Sequence, residues 1–144
     1  MSRALMQARC PGAVALGLAS IAGWRFTINP DGVGSIVPAP GLLLCGVLWR
    51  VGLRDLVAIN AYEGIDTGLY LRRILPVVHE GRHRPALIYV ARRQGRGRPR
   101  PGYIDLVVAA AREWALPERY IRSLRRWSPA GFSGARLKDT GELG

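Results

Sequence analysis

Tyr62-Glu63-Gly64, followed after three residues by Gly68-Leu69-Tyr70, is the part of this sequence whose residue types and spacing could do chemistry. Glu63 is one of ten acidic residues set against twenty-one basic ones. It closes an amphipathic stretch, abuts a glycine and precedes an apolar run that opens with an aromatic. A carboxylate just past a helix C-terminus feels the negative end of the backbone dipole. Partial burial beside Tyr62 and Tyr70 adds a desolvation cost, and both effects raise its pKa toward the range useful for general acid–base work. Gly64 and Gly68 let backbone or substrate approach closely. The plainer alternative is a surface glutamate beside a helix-capping glycine, and residue types alone leave both open.

The elements that must position this corner follow from periodicity. Leu53, Leu56, Val57, Ile59 and Asn60 fit a short amphipathic helix that the corner closes. Residues 69–78 read as a strand with Pro76 at an edge or bulge. Residues 85–91 are its antiparallel partner, and 79–84 the hairpin loop between them. Upstream, 2–7 read as a short helix, 13–23 as an apolar strand and 24–29 as an alternating strand. Asn29-Pro30-Asp31-Gly32 is a turn. A short strand over 34–37, a turn at 38–41 and a long apolar strand over 42–51 follow, the last expected to be central and covered on both faces. Downstream, 92–101 is an arginine-rich loop without an apolar anchor, expected to be solvated and mobile. Helices are expected over 103–115, with Ile104, Val107, Val108 and Ala111 inward, and over 117–127, with Tyr120, Ile121, Leu124 and Trp127 inward. From Ser128 the chain is turn-rich, with fraying expected over 140–144. Strands around one short helix, then two C-terminal helices, make an α+β fold.

Composition narrows the function classes. At 144 residues the chain reads as one domain, 1–144. A hydrophobic content of 49% excludes disorder as the general state. No apolar run is long enough to span a bilayer, and the N-terminus lacks the form of a signal peptide, so the reading is cytoplasmic with no membrane partner. Cys10 and Cys45 are too few for a disulfide framework and lack metal-ligand spacing; they read as buried thiols. His79 and His83 flank a turn, which argues against a shared metal, and no metal or organic cofactor is expected. Trp24, Trp49, Trp114 and Trp127 read as packing residues. The formal charge of +11 favours adhesion to polyanions. Every basic residue except Lys138 is arginine, which reads as coding bias more than as a binding face. Arginines over 92–100 and at Arg119, Arg122, Arg125, Arg126 and Arg136 support a rival reading as a nucleic-acid-binding protein. No basic–aromatic interleaving accompanies them, and no specific nucleic acid is expected. Asp66 and Asp105 could assist an ammonium group, though solvated carboxylates are the simpler account.

Residues 41–70, with their apolar strand, short helix, E-G and G-x-Y, resemble the gamma-glutamylcyclotransferase-like family, which includes the AIG2-like proteins. The similarity extends to L-G-L-A-S-I-A-G-W-R-F over 16–26, to G-S-I-V-P over 34–38, and to 103–124 with L-P-E-R-Y-I-R-S-L, so that about 1–124 is covered. The resemblance implies a small mixed sheet, barrel-like around a cavity, with a short inserted helix and C-terminal helices. It implies that Glu63 is the catalytic glutamate, that Tyr70 lines the substrate pocket, and that Tyr120 approaches it from the C-terminal helix. The implied reaction releases 5-oxoproline from a gamma-glutamyl amine or amino acid, without a cofactor. The leaving amine and the oligomeric state stay open. Relatives begin with a strand ending in Y-G-S-N, whose turn supplies backbone donors for the glutamyl group. That motif is absent from this sequence, and its first residues are similar to those that follow the motif in relatives. The expectation is therefore a chain truncated at its N-terminus relative to the family, through a start codon placed too far downstream or a shortened protein. Asn60 stands where relatives carry an acidic residue and is expected to serve hydrogen bonding around the site. The remaining alternative is a non-catalytic ligand-binding or interaction protein on the same fold.

Overall fold

The computed structural model describes residues 2–65 and 67–128; Asp66, Lys138, Arg136 and the expected frayed end at 140–144 lie outside the described residues. The element order is α1 (Arg3–Arg9), β1 (Val14–Ile28), β2 (Gly34–Arg50), α2 (Leu53–Tyr62), β3 (Tyr70–His79), β4 (Arg82–Ala91), α3 (Tyr103–Glu113) and α4 (Glu118–Arg125). The four strands form one antiparallel sheet in the order β2-β1-β3-β4. Strands joined to a short helix and two C-terminal helices give the α+β class that the sequence indicates.

The strands are longer and the loops shorter than periodicity suggests. The stretches 13–23 and 24–29 are a single strand, β1, which continues through Gly23. Likewise 34–37 and 42–51 join as β2, and 38–41 is a bulge within it. Ala22 faces Leu43 while Trp24 faces Pro38, so residues 39–42 loop out opposite Gly23. The expectation that 42–51 is central is wrong. β2 is an outer strand, and Leu42 and Leu43 are about half exposed, at 52% and 53%. Its low polarity serves one buried face, where Leu44 and Leu48 pack.

The 79–84 loop is also corrected. The ladder runs to His79 opposite Arg82, leaving a two-residue turn of Glu80 and Gly81 at φ 50° and 74°. His79 is buried, with its Nδ1 hydrogen-bonded to Leu18 O at 2.9 Å. Pro76 sits opposite Pro85, past the end of the short β1–β3 pairing at Ala19–His79 and Ser20–Val78. There its missing N–H leaves no β1 partner unsatisfied.

Two apolar clusters hold these layers. Ile21, Leu75, Val77 and Ala86 meet inside the sheet, backed by Trp24, Ile36, Leu44 and Ile88, so all four strands contribute. Ile104, Val108, Ala111, Ile121, Leu124 and Trp127 of the helical pair pack on Ile28 and Phe26. Of the tryptophans, Trp127 is buried, and Trp49 meets Trp114 edge-on at 5.7 Å. The sheet curls until its outer strands meet, where Ala91 N–H donates to Ser35 Oγ at 2.9 Å.

The arginine-rich 92–101 segment is anchored, against expectation. Gly97 N–H donates to Ile28 O at 2.8 Å and Arg100 N–H to Gly32 O at 3.0 Å. Arg93 pairs with Asp31 at 2.6 Å. A methyl group added at Gly97 would collide with the Asn29 carbonyl. Its anchors are backbone groups of the 29–32 turn, which no apolar pattern advertises. That turn is itself fixed by the buried Asn29, whose Oδ1 accepts from Asp31 N at 3.0 Å and Val33 N at 3.3 Å.

Candidate active site

Helix α2 delivers Glu63 and then stops abruptly. Glu63 N–H still donates to Ile59 O at 2.8 Å, which makes it the last capped residue. Gly64 turns left-handed at φ 62°. Gly64 N–H donates to Ala61 O at 3.2 Å and Ile65 N–H to Asn60 O at 3.1 Å. These are the paired bonds of a Schellman motif, which satisfy the carbonyls a helix end otherwise leaves open. The turn is held further by Thr67 Oγ1 donating to Gly64 O at 3.0 Å and by Leu69 N–H donating to the same carbonyl at 3.1 Å. Arg92 N–H then donates to Leu69 O at 3.0 Å, which ties the start of β3 to the end of β4. Gly64 and Gly68 are thus demanded by backbone conformation, at φ 62° and 75°.

The carboxylate lies within electrostatic reach of three phenols. Burial raises the Glu63 pKa above the ordinary carboxylate value, while the Arg9 guanidinium pulls it the other way. Arg9 itself stacks on the Tyr62 ring at 3.4 Å. Burial raises Tyr70, Tyr89 and Tyr103, and the Glu63 charge adds to the rise in all three. Tyr70 and Tyr103 share one partner. Tyr70 Oη donates to Gly34 O at 3.1 Å, and Gly34 N–H donates to Tyr103 Oη at 2.9 Å. Tyr89 Oη donates to Asn60 Oδ1 at 2.6 Å, so Asn60 does serve hydrogen bonding beside the corner.

Of the residues singled out from sequence, Glu63, Gly64, Gly68 and Tyr70 come together. Tyr120 is held elsewhere: its hydroxyl bonds to the Cys45 backbone, its ring packs on the helical core, and burial pushes its pKa up to about 12. Sequence reading missed Tyr89, Tyr103 and Arg9. Tyr103 shows in the sequence only as a helix start, and Tyr89 only as a strand residue; register and tertiary packing bring them in. An open hollow of about 740 Å³ lies between the end of α1 and the start of α2, walled by Arg9, Pro11, Gly12 and 52–55. Glu63 does not line it, and the chemistry is read from the carboxylate and phenols instead. Among the described residues, no cluster of three His, Cys, Asp or Glu side chains could hold a metal ion. A half-buried carboxylate with a raised pKa, beside phenolic groups, is suited to accepting a proton and returning it.

A model of the AIG2-like family matches residues 44–124, more than half of the chain and inclusive of α2, the corner and both C-terminal helices. The chain belongs to the AIG2-like family. This AIG2-like chain is 26% identical to the gamma-glutamylcyclotransferase of Mus musculus over 104 residues, which is 72% of this chain and 55% of the relative. It is 25% identical to that of Bos taurus over 137 residues, 88% of this chain and 73% of the relative. The chain spans about half the length of its mouse and human relatives. Among solved structures, a gamma-glutamyl cyclotransferase superposes with a TM-score of 0.82 at 21% identity, covering 89% of this chain and 82% of that one. An uncharacterized Homo sapiens protein gives 0.78 at 22% identity, covering 86% and 80%. At such identities these likenesses establish the fold that the AIG2-like chain adopts. No helix among the described residues is long and apolar enough to cross a membrane.

Proposed function

We propose that this chain releases 5-oxoproline from a small gamma-glutamyl amine or gamma-glutamyl amino acid, with Glu63 as the proton shuttle. The observation that carries the reading is a single carboxylate, raised in pKa by burial, fixed at a helix end among Tyr70, Tyr89 and Tyr103. The relatives named gamma-glutamylcyclotransferase supply the reaction class.

The chemistry is an intramolecular aminolysis. Glu63 takes a proton from the substrate's α-ammonium. The freed amine attacks the γ-carbonyl of the same molecule, forming a C–N bond and a tetrahedral oxyanion. Glu63 passes its proton to the leaving nitrogen and takes the second proton from the ring nitrogen; the oxyanion then collapses, the bond to the leaving amine breaks, and the departing amine takes up that proton, which restores the carboxylate. Nucleophile and electrophile are already joined, so holding the glutamyl chain folded can supply roughly 7–11 kcal/mol of the barrier. No cofactor is required. Tyr103 accepts the Gly34 N–H bond, which leaves its own O–H able to donate to substrate oxygen. One donor aimed at a tetrahedral oxyanion is typically worth about 3 kcal/mol. Gly64 and Gly68 support the site through the turn, with Tyr70 as a pocket wall; Tyr120, packed on the helical core, takes no part.

Glu63→Gln keeps the shape and removes the base. The expected result is loss of 5-oxoproline release from gamma-glutamyl-alanine by roughly 10²–10⁴-fold with an unchanged circular dichroism spectrum. A Glu63→Gln protein that cyclises as fast as the parent would remove Glu63 from the mechanism.

A further inference from the structure

We propose that the outer face of α4, together with the anchored 92–101 segment, binds duplex nucleic acid through its phosphates, without reading sequence. This binding is independent of the cyclisation at Glu63. Helix α4 is two-sided. Ile121 and Leu124 are buried in the helical core, and Tyr120 packs beside them. On the other side Arg119, Arg122, Arg125 and Arg126 are all exposed. Arg119, Arg122 and Arg126 recur at three- and four-residue spacing, which lines them along a stripe about 10 Å long. Arg126 caps the helix and keeps helical backbone, at φ −60° and ψ −19°. Cations near a helix C-terminus offset the backbone dipole, which accounts for Arg122 and Arg125 without any partner. Arg119 is not explained in that way, because it stands in the first turn, where the dipole disfavours a cation. Ion pairs among the described residues join Arg3 to Glu113, His79 to Glu80 and Arg93 to Asp31; none uses these four arginines.

Tertiary packing joins a second group to this stripe. The 92–101 segment is pinned through Gly97 to Ile28 and through Arg100 to Gly32 and Asp31. Its Arg96 is thereby carried over the Trp127 ring, at 4.8 Å, just past the end of α4. Arg93, Arg98 and Arg100 are exposed along the same segment. Arginines distant in sequence thus meet on one surface and are held on a fixed frame. What that surface lacks selects its partner. Neither the segment nor α4 carries an exposed large apolar side chain, and lying in a bilayer interface requires an apolar face to insert. Trp127 is buried, at 8% exposure, so its ring is not offered for stacking on the bases of a single strand. Guanidinium groups match phosphate oxygens through paired N–H donors. A dense row of phosphates is what a duplex backbone presents.

The test is fluorescence anisotropy of labelled duplex DNA in two unrelated sequences, across a range of salt, on the parent and two triple variants. One variant, Arg119→Gln/Arg122→Gln/Arg126→Gln, removes the stripe. The other, Arg54→Gln/Arg82→Gln/Arg84→Gln, removes the same charge from exposed positions on α2 and the β3–β4 hairpin. A parent contacting about four phosphates should lose roughly 150-fold in affinity from about 50 to about 200 mM salt, equally for both sequences. The stripe variant should flatten that loss to roughly fourfold, and the hairpin variant should keep the parent's dependence. Arg119→Gln alone should remove about a quarter of the logarithmic slope. Equal effects of the two triple variants would mean diffuse charge adhesion and overturn the assignment, as would tighter binding of a single strand than of the duplex. Stripe-dependent binding to phosphatidylglycerol vesicles without binding to the duplex would give the face to a membrane and overturn it likewise.

Discussion

Replacing Gly64 by alanine tests whether the Glu63 corner is rigid by construction, and Gly23 provides the internal reference. Both glycines are left-handed, at φ 62° and 79°. At either site an L-residue pays the backbone penalty of about 1–2 kcal/mol. The surroundings differ. A Cβ at Gly23 meets nothing within 4 Å, whereas one at Gly64 lies 2.8 Å from Thr67 Oγ1, 2.9 Å from Leu69 Cδ1 and 3.2 Å from Leu69 Cβ. Relieving those contacts drives Leu69 off its rotamer, at about 0.5–1.5 kcal/mol. It also breaks the Thr67 bond to Gly64 O, at about 1 kcal/mol. Gly64→Ala should therefore lose about 3 kcal/mol, roughly twice the loss at Gly23. For a chain of this size the difference corresponds to a Tm about 3–8 °C lower. Urea titration at neutral pH, with calorimetric Tm as the second measure, reads it directly. Under the proposed mechanism, Gly64→Ala should also depress 5-oxoproline release while Gly23→Ala spares it. Equal stability losses at the two sites would show that the contacts at Gly64 yield freely and that the turn does not lock the carboxylate.

Two other perturbations follow from the same geometry. Burial raises the folded-state pKa of Glu63, so ionising it costs more in the folded than in the unfolded chain. Its contribution to stability is full below the unfolded value of about 4.3 and is lost as pH rises through the folded value. The stability advantage of Glu63→Gln over the parent should therefore grow between about pH 4 and pH 7, and parallel urea-derived curves across that window would refute the raised pKa. Gly97→Ala forces a methyl group into the Asn29 carbonyl and should release the 92–101 segment; trypsin should then cut there first, and a digestion pattern identical to the parent's would refute the anchoring.

The helices and the corner were legible because local rules decide them. Apolar residues at three- and four-residue spacing placed α2, α3 and α4, and a glutamate followed by glycine marked a helix end that a Schellman motif completes. The sheet was less legible because its order depends on distant pairing. An unbroken apolar run such as 42–50 reads the same whether a strand is central or outer, and β2 turned out to be outer. Polar residues misled in the other direction: Arg82, His83 and Arg84 look like a loop but extend the β3–β4 ladder. At the candidate site, the carboxylate stands out in the sequence by its place between an apolar helix and a glycine, whereas Tyr89 and Tyr103 do not. A tyrosine acquires its place from strand register or helix docking, and nothing in its immediate neighbours records that.

Gly34, held at both its N–H and its C=O, has a consequence for when the candidate site can be complete. Tyr103 opens α3 and holds its N–H; Tyr70 opens β3 and holds its C=O. The partners lie 69 and 36 residues away along the chain, so neither bond can form from local structure. Closing such long loops costs conformational entropy before any contact repays it. Only a chain in which β2, β3 and α3 have all arrived can complete the clamp. Fraying of any one of them dismantles the wall of phenols around Glu63. Under the proposed mechanism, catalytic competence would thereby be a readout of complete folding, and a partly assembled chain would lack the site.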